Sequence, residues 1–282
     1  MNQHKRTVLS LTQQKARGEK IAQVTAYDYT TARLVEAAGL EMILVGDSLG
    51  MTMMGHSDTL PVTIDDMVHY TRCVTRAIHN TFVVADMPFM TYQQGIKDTL
   101  QNAGRLIKEG RAHAVKLEGG KSVASQIQAL VEAGIPVQGH IGLTPQAVHA
   151  MGGFKVQGKD IEAAKRIIED AFHVQEAGAF SVVIEGVPSA LAQIISEKLD
   201  IITIGIGAGN STDGQVLVVH DLLGLTQDHS PKFAKQFAHL GEEAINAFRA
   251  YNSEVKCQTF PKEGEHTFSI NSDVIEQLKK EL

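Results

Sequence analysis

Cysteine is scarce. The 282-residue chain holds two, Cys73 and Cys257, which is too few for a disulfide-stapled scaffold and fits free thiols in a reducing compartment. Positive charge has no surplus: 26 Lys and Arg stand against 32 Asp and Glu, a formal net charge of −6. Without a basic field, sequence-independent nucleic-acid binding is disfavoured. No apolar run is long enough to span a bilayer, and Met1–Lys20 is polar and basic, without the apolar core of a secretory signal. The expectation is a soluble cytoplasmic protein with neither membrane nor nucleic acid among its partners. No Ser/Gly linker, low-complexity tract or short repeat divides the chain. No HExxH or Cys/His spacing points to zinc.

What is present is ordinary in bulk and ordered in detail. Hydrophobic residues make up 43% and charged residues 21%, as in a soluble globular chain. Short runs rich in Val and Ile recur at 21–27, 42–47, 81–86, 113–118, 135–140, 180–185, 201–206 and 216–221. Runs apolar on both faces read as parallel strands covered by helices. Helical patterns separate most of them. Clear cases are 29–38, 121–133 and 160–177, each followed by a glycine (Gly39, Gly134, Gly178) suited to a helix C-cap. Thr63 is a candidate N-cap for a further helix.

Eight strand runs with intervening helices in one chain of this length predict a (β/α)8 barrel. A doubly wound open sheet is the alternative, since periodicity does not show closure. The expected organisation is one barrel domain over 1–282, with a short N-terminal extension at about 1–20. A polar tail at about 226–282 carries additional C-terminal helices near 231–251 and 272–281.

The charged residues fall in a pattern. Asp47, Asp86, Glu118 and Glu185 each end a candidate strand, which in a barrel is the active-site face. Alternation puts Lys116 and Glu118 on one face, and the same argument pairs Val45 with Asp47 and Val84 with Asp86. Converging carboxylates repel unless neutralised, and an all-oxygen set with few ligands suits Mg²⁺. For a single aspartate the competing reading is a cap or solvated turn. Lys116 reads either as a structural ion-pair partner or as a cation for a substrate carboxylate. His140 ends a strand and reads equally as a core or a catalytic histidine. Ser48 offers a hydroxyl to a substrate oxygen or a cap to the next segment. The run Gly205-Ile206-Gly207-Ala208-Gly209-Asn210 lacks the G-x-G-x-x-G spacing and comes late in the chain. It reads as a close backbone approach to a ligand or as a plain turn.

Ordered motifs then bring in a resemblance. They are Thr25-Ala26-Tyr27-Asp28, Val45-Gly46-Asp47-Ser48-Leu49-Gly50-Met51, Thr59-Leu60-Pro61-Val62-Thr63 and Ala85-Asp86-Met87-Pro88-Phe89-Met90. Val115-Lys116-Leu117-Glu118-Gly119-Gly120, Gly139-His140-Ile141-Gly142-Leu143-Thr144-Pro145-Gln146, the stretch Gly152 to Gly158, Ile184-Glu185-Gly186-Val187-Pro188 and Ile204 to Gly209 complete the set. From about residue 20 to His266 the chain resembles the ketopantoate hydroxymethyltransferase family.

The resemblance implies a (β/α)8 barrel that binds Mg²⁺ and takes 5,10-methylenetetrahydrofolate as co-substrate. It implies hydroxymethyl transfer to 3-methyl-2-oxobutanoate, giving 2-dehydropantoate for pantothenate and coenzyme A synthesis. Carried over position by position, Asp47 and Asp86 are the metal-binding aspartates, and Glu118 is the third acid, bound directly or through water. Ser48 and Lys116, with the two aspartates, meet the keto acid, and Glu185 is the proton acceptor. A homo-oligomer, a decamer of pentameric rings, is also implied. Gly186 departs from the bulkier residue, often Cys, of some members.

Two other classes compete. Mg²⁺ barrels acting on phosphoenolpyruvate or isocitrate also need clustered acids, but many use a cysteine in a mobile loop. Here Cys73 sits in a helix-like segment and Cys257 in the tail. A catalytically inactive barrel predicts drifted site positions, whereas Asp47, Asp86, Lys116, Glu118 and Glu185 are all present.

Overall fold

Eight parallel strands follow one another round a closed barrel in chain order: β1 (Ile21–Thr25), β2 (Met42–Val45), β3 (Phe82–Asp86), β4 (Ala114–Glu118), β5 (Val137–Gly142), β6 (Ser181–Glu185), β7 (Ile202–Ile206) and β8 (Gly214–Leu217). This computed structural model describes residues 5–226 and 231–282. Residues 1–4 of the expected extension and 227–230 of the expected tail lie outside the described residues. Closure is direct: β1 pairs in parallel with β8 from Ile21↔Gly214 to Val24↔Leu217. The open-sheet alternative is thereby excluded.

Twelve α-helices surround or extend the barrel among the described residues: α1 (Val8–Ala16), α2 (Tyr29–Ala38), α3 (Leu49–Thr52), α4 (Ile64–Thr75), α5 (Ile96–Lys108), α6 (Ala124–Glu132), α7 (Val148–Met151), α8 (Ile161–Glu176), α9 (Ser189–Lys198), α10 (Val219–Leu222), α11 (Leu240–Lys256) and α12 (Ser272–Glu281). Thr63 caps α4 as its sequence indicates, in a reciprocal capping box with Asp66. Gly39 ends α2 at φ +80°, a left-handed C-cap. The 207–213 connection between β7 and β8 carries no helix.

The barrel sorts its side chains into two apolar sets. Met42, Leu44, Phe82, Val84, Ala114, Val183, Ile202, Ile204 and Val216 fill the interior. Val24, Ile43, Val45, Val83, Val115, Leu117 and Val182 pack outward against the helices. Val45 therefore faces the helices, and the pairing of Val45 with Asp47 on one inward face is corrected. β2 ends at Val45, and Asp47 reaches the mouth from the turn that follows Gly46.

Three other boundaries differ from the sequence reading. The eighth strand begins at Gly214 rather than 216 and ends at Leu217. A Cβ at Gly214 would stand 2.4 Å from the Ile21 carbonyl oxygen, so close pairing with β1 requires glycine there. Residues 219–222 turn into α10, with the Val219 N–H donated to Thr25 Oγ1 at 2.8 Å. The first tail helix starts at Leu240 rather than near 231. The N–H groups of Phe237, Leu240 and Gly241 are donated to the carbonyls of Leu222, Leu223 and Gly224, which holds this stretch against α10. Residues 121–123 form a single 3₁₀ turn ahead of α6.

The N-terminal extension contains a helix that closes the floor of the barrel. Leu11 of α1 is fully buried with the interior set. Lys15 Nζ donates to the carbonyls of Leu199 and Ile201 at 3.0 and 2.6 Å and pairs with Asp213 at 3.0 Å. Leu11→Ala should lower unfolding stability by about 2–4 kcal/mol, as for other buried leucines. Chemical denaturation checks this, and an unchanged midpoint would mean that α1 does not seal the floor.

Candidate active site

The mouth at the C-terminal ends of β2 to β6 gathers five of the six side chains singled out from the sequence, together with His140. Asp86 is the last residue of β3, Lys116 and Glu118 lie in β4, His140 in β5, and Glu185 ends β6. The registers Asp86↔Lys116, Glu118↔His140 and Gly142↔Glu185 carry them round the inner face. Asp47, Asp86, Lys116, Glu118 and His140 are all buried. Ser48, the sixth, lies beside Asp47 and is half-buried.

Lys116 is the hub. Its Nζ lies 2.9 Å from Asp86 Oδ1, 3.1 Å from His140 Nδ1 and 3.9 Å from Glu118 Oε1. Burial alone would push the ammonium towards neutrality, but the Asp86, Glu118 and Asp47 carboxylates outweigh it and hold Lys116 above the ordinary lysine value. Burial pushes the Asp47 carboxyl well above the usual carboxylate range, and the Asp86 and Glu118 charges push the same way. Asp86 is raised by burial too, with Lys116 pulling it back. Glu118 is held low against its burial by the hydrogen bond and charge of His140, and by Lys116.

Among these acids Asp47 keeps one oxygen, Oδ1, without a protein partner, while both Asp86 oxygens have close neighbours. Asp86 Oδ2 accepts the Asp47 N–H at 3.1 Å, while buried Oδ1, although close to Lys116, has no aligned hydrogen bond. Asp47 Oδ2 accepts from Gln146 Nε2 at 2.8 Å. Among the described residues no three His, Cys, Asp or Glu side chains stand together as a ready cation cage. The aspartate pair nevertheless has the donor chemistry of Mg²⁺, which takes one or two carboxylates and fills its shell with water and substrate oxygens. Glu118 has both oxygens engaged: Oε2 accepts the Gln146 N–H at 2.9 Å, and Oε1 faces His140 Nδ1 at 3.4 Å.

His140 joins Glu118 to Glu185. Its Nε2 lies 3.1 Å from Glu185 Oε2. Burial and Lys116 push the imidazole down, but the bonds to Glu118 and Glu185 raise it to about 9. A protonated ring carries N–H on both nitrogens. A neutral ring that accepts from Lys116 at Nδ1 carries its proton on Nε2. In either state Nε2 carries a proton, although its 3.1 Å approach to Glu185 is not aligned as a hydrogen bond. The Glu185 side chain is 14% exposed against 4% for Glu118, so it is the acid that opens outward.

Ser48 makes no side-chain cap to α3, contrary to one of its two readings. Its Oγ lies 2.8 Å from the Tyr27 hydroxyl, and the Tyr27 ring stacks on His220 with centroids 5.7 Å apart. Burial raises Tyr27 to about 12, so it remains a neutral phenol. The glycine run is filled from the protein side. A Cβ at Gly207 would stand 2.8 Å from the Phe233 ring, and one at Gly209 2.5 Å from Ser189 Cβ. Gly186 has φ +57° and would place a Cβ 3.1 Å from Leu143 Cβ, so the chain packs tightly there. Cys73 lies within α4, and Cys257 follows α11.

Sequence reasoning assigned no role to Gln146, Tyr92, Tyr27 or His220. Gln146 and Tyr27 stood inside quoted motifs but carried no spacing of their own. Tyr92, in the loop after β3, gave no signal.

Comparisons with known proteins find relatives over nearly the whole chain. A family model described as "Ketopantoate hydroxymethyltransferase" matches residues 5–263. A 3-methyl-2-oxobutanoate hydroxymethyltransferase of Enterococcus faecalis is 57% identical over 274 residues, covering 97% of this chain and 99% of the relative. The Geobacter sulfurreducens enzyme of that name is 55% identical, covering 95% and 100%. Solved structures share the fold at low identity. Phosphonopyruvate hydrolase complexed with oxalate and Mg²⁺ gives a TM-score of 0.61 at 13% identity, over 97% of this chain and 95% of that one. 2,3-Dimethylmalate lyase, of the PEP mutase/isocitrate lyase superfamily, gives 0.59 at 16%, over 97% and 95%.

The charge balance is testable alone. Removing one partner of a buried ion pair leaves the other uncompensated, which typically lowers stability by about 3–5 kcal/mol. Lys116→Met should therefore unfold at clearly lower urea concentration than wild type, both in EDTA. An unchanged midpoint would mean that Lys116 does not neutralise the cluster.

Proposed function

The chain belongs to the ketopantoate hydroxymethyltransferase family, and from that premise we propose that it moves a hydroxymethyl group from 5,10-methylenetetrahydrofolate to 3-methyl-2-oxobutanoate through an enolate, giving 2-dehydropantoate. It is a transferase, and its relatives' names support a place in pantothenate synthesis. Asp47 and Asp86 would hold Mg²⁺, with Glu118 as the third acid, directly or through water. Mg²⁺ bound there supplies Lewis-acid polarisation of the keto acid's oxygens, which eases loss of the C3 proton.

The remaining work falls to side chains. Lys116, buried and charged, receives the substrate carboxylate through a charge-assisted bond. Ser48 Oγ, steadied by Tyr27, donates to a substrate oxygen. Glu185 takes the C3 proton. The observation that carries this reading is the His140–Glu185 contact. His140 Nε2 and Glu185 Oε2 form an ion-pair contact at 3.1 Å without an aligned hydrogen bond, and Oε1 has no protein partner among the described residues. The proton therefore arrives at Oε1, and His140 keeps that oxygen facing the mouth. The C3 carbon then bonds to the folate-borne methylene as the bonds from the methylene carbon to the two folate nitrogens break, one water supplies the hydroxyl, and tetrahydrofolate leaves.

The protein also assembles with copies of itself, as a decamer by family resemblance. Phe248 is 71% and Tyr251 59% exposed on α11, and Phe268 is fully exposed, which supplies apolar surface for such contacts. Light scattering reads the assembly as a multiple of 30.6 kDa. No helix among the described residues is long and apolar enough to cross a membrane, in keeping with a cytoplasmic site of action.

Glu185→Gln preserves size but cannot accept the proton. It should fold, bind the keto acid and lose about 10²–10⁴-fold in rate, the range for a positioned base. Exchange of the C3 proton into deuterated water, followed by NMR with Mg²⁺ and no folate, isolates that step. A variant exchanging as fast as wild type would move the base to another residue, with His140 next in line.

A further inference from the structure

Gln146 occupies a position that the chemistry above leaves unexplained. It is 5% exposed, in the 3₁₀ turn Pro145–Ala147 after β5, and its buried polar atoms are all used. Nε2 donates to Asp47 Oδ2 at 2.8 Å and to the Met87 carbonyl at 3.0 Å. Oε1 accepts from the Tyr92 hydroxyl at 2.7 Å. The backbone N–H donates to Glu118 Oε2 at 2.9 Å. One residue thus holds an acid from the β2 turn and an acid from β4.

The amide has one workable orientation. Tyr92 is 1% exposed, and its hydroxyl oxygen accepts the Glu118 N–H at 3.3 Å. Burial keeps the phenol protonated. Its one proton has two acceptors in reach, the Glu118 carbonyl at 3.2 Å and Gln146 Oε1 at 2.7 Å, and the shorter contact makes Oε1 the acceptor. A flipped amide would set its oxygen against both the Asp47 carboxylate and the Met87 carbonyl. Methionine at 146 would leave Asp47 Oδ2 buried without a donor, which is unfavourable for a carboxylate. Asparagine is one methylene too short to span the same partners.

We propose that Gln146 is a positioning residue for the divalent cation: its amide fixes Asp47 through Oδ2 and leaves Oδ1 to the metal, while its N–H fixes Glu118 behind it. The inference rests on the reading of Asp47 and Asp86 as the metal pair. Partners that orient metal ligands typically account for about 10–100-fold in affinity or activity, because a ligand free to rotate must be ordered when the ion binds.

The test is Mn²⁺ binding followed by electron paramagnetic resonance, with no keto acid or folate. Wild type, Asp47→Asn, Gln146→Met and Gln146→Asn are compared, with thermal melting run in parallel. Both Gln146 variants should bind Mn²⁺ about 10–100-fold more weakly than wild type, and Tyr92→Phe should shift affinity less in the same direction. Should the methionine variant fail to fold, the asparagine variant, which retains a buried amide, decides. A folded Gln146 variant with wild-type Mn²⁺ affinity and only a lowered melting temperature overturns the inference, since a purely structural role gives that result. Wild-type affinity in Asp47→Asn overturns the metal-pair reading itself. Loss in Asp47→Asn with retention in the Gln146 variants overturns the inference alone.

Discussion

Three carboxylates, Asp47, Asp86 and Glu118, are buried within reach of one ammonium, Lys116, and one imidazole, His140. Most of the mouth follows from balancing that charge. Lys116 sits against Asp86, His140 bridges Glu118 to Glu185, and Gln146 supplies donors to Asp47 and Glu118. Buried charge of this kind persists only when paired and hydrogen-bonded. On the proposed reading, a divalent cation held by Asp47 and Asp86 would complete the balance.

The barrel makes such an arrangement affordable in sequence terms. Each charged group is contributed by a different strand or turn, so its neighbours in the chain can stay apolar and pack outward against the helices. β4 illustrates this, with Val115 and Leu117 in the outer layer and Lys116 and Glu118 inside. The rest of the interior is aliphatic and sealed below by Leu11 of α1. Polar chemistry is thus confined to the upper layer, where water-poor surroundings strengthen each contact. Among the acids, Glu185 differs by its greater exposure and its free oxygen, which suits the proposed division between groups that hold charge and a group that moves a proton.

Much of this was legible in the sequence because strand runs and their terminal acids obey strong local rules. Asp86, Lys116, Glu118 and Glu185 sit on the inward face that alternation assigns. Asp47 shows where alternation stops: its parity was wrong because β2 ends at Val45, and a turn brings the side chain inward. The start of β8 was illegible because the need for glycine at 214 comes from Ile21, distant in the chain. The delayed start of α11 has a similar cause, since Phe237, Leu240 and Gly241 are held by the carbonyls of Leu222, Leu223 and Gly224 at the end of α10 and just after it. Gln146 meets Asp47 across 99 positions, and an amide has no spacing signature by which such a meeting could be read.

The central claim is that Asp47 and Asp86 share one Mg²⁺ with the keto acid, beneath Glu185. A crystal structure of the protein grown with Mg²⁺ and 3-methyl-2-oxobutanoate tests this most directly. The account predicts a cation bridging Asp47 and Asp86, the substrate carboxylate at Lys116, and C3 within reach of Glu185 Oε1. A cation held elsewhere, or a keto acid bound with C3 turned away from Glu185, would contradict it.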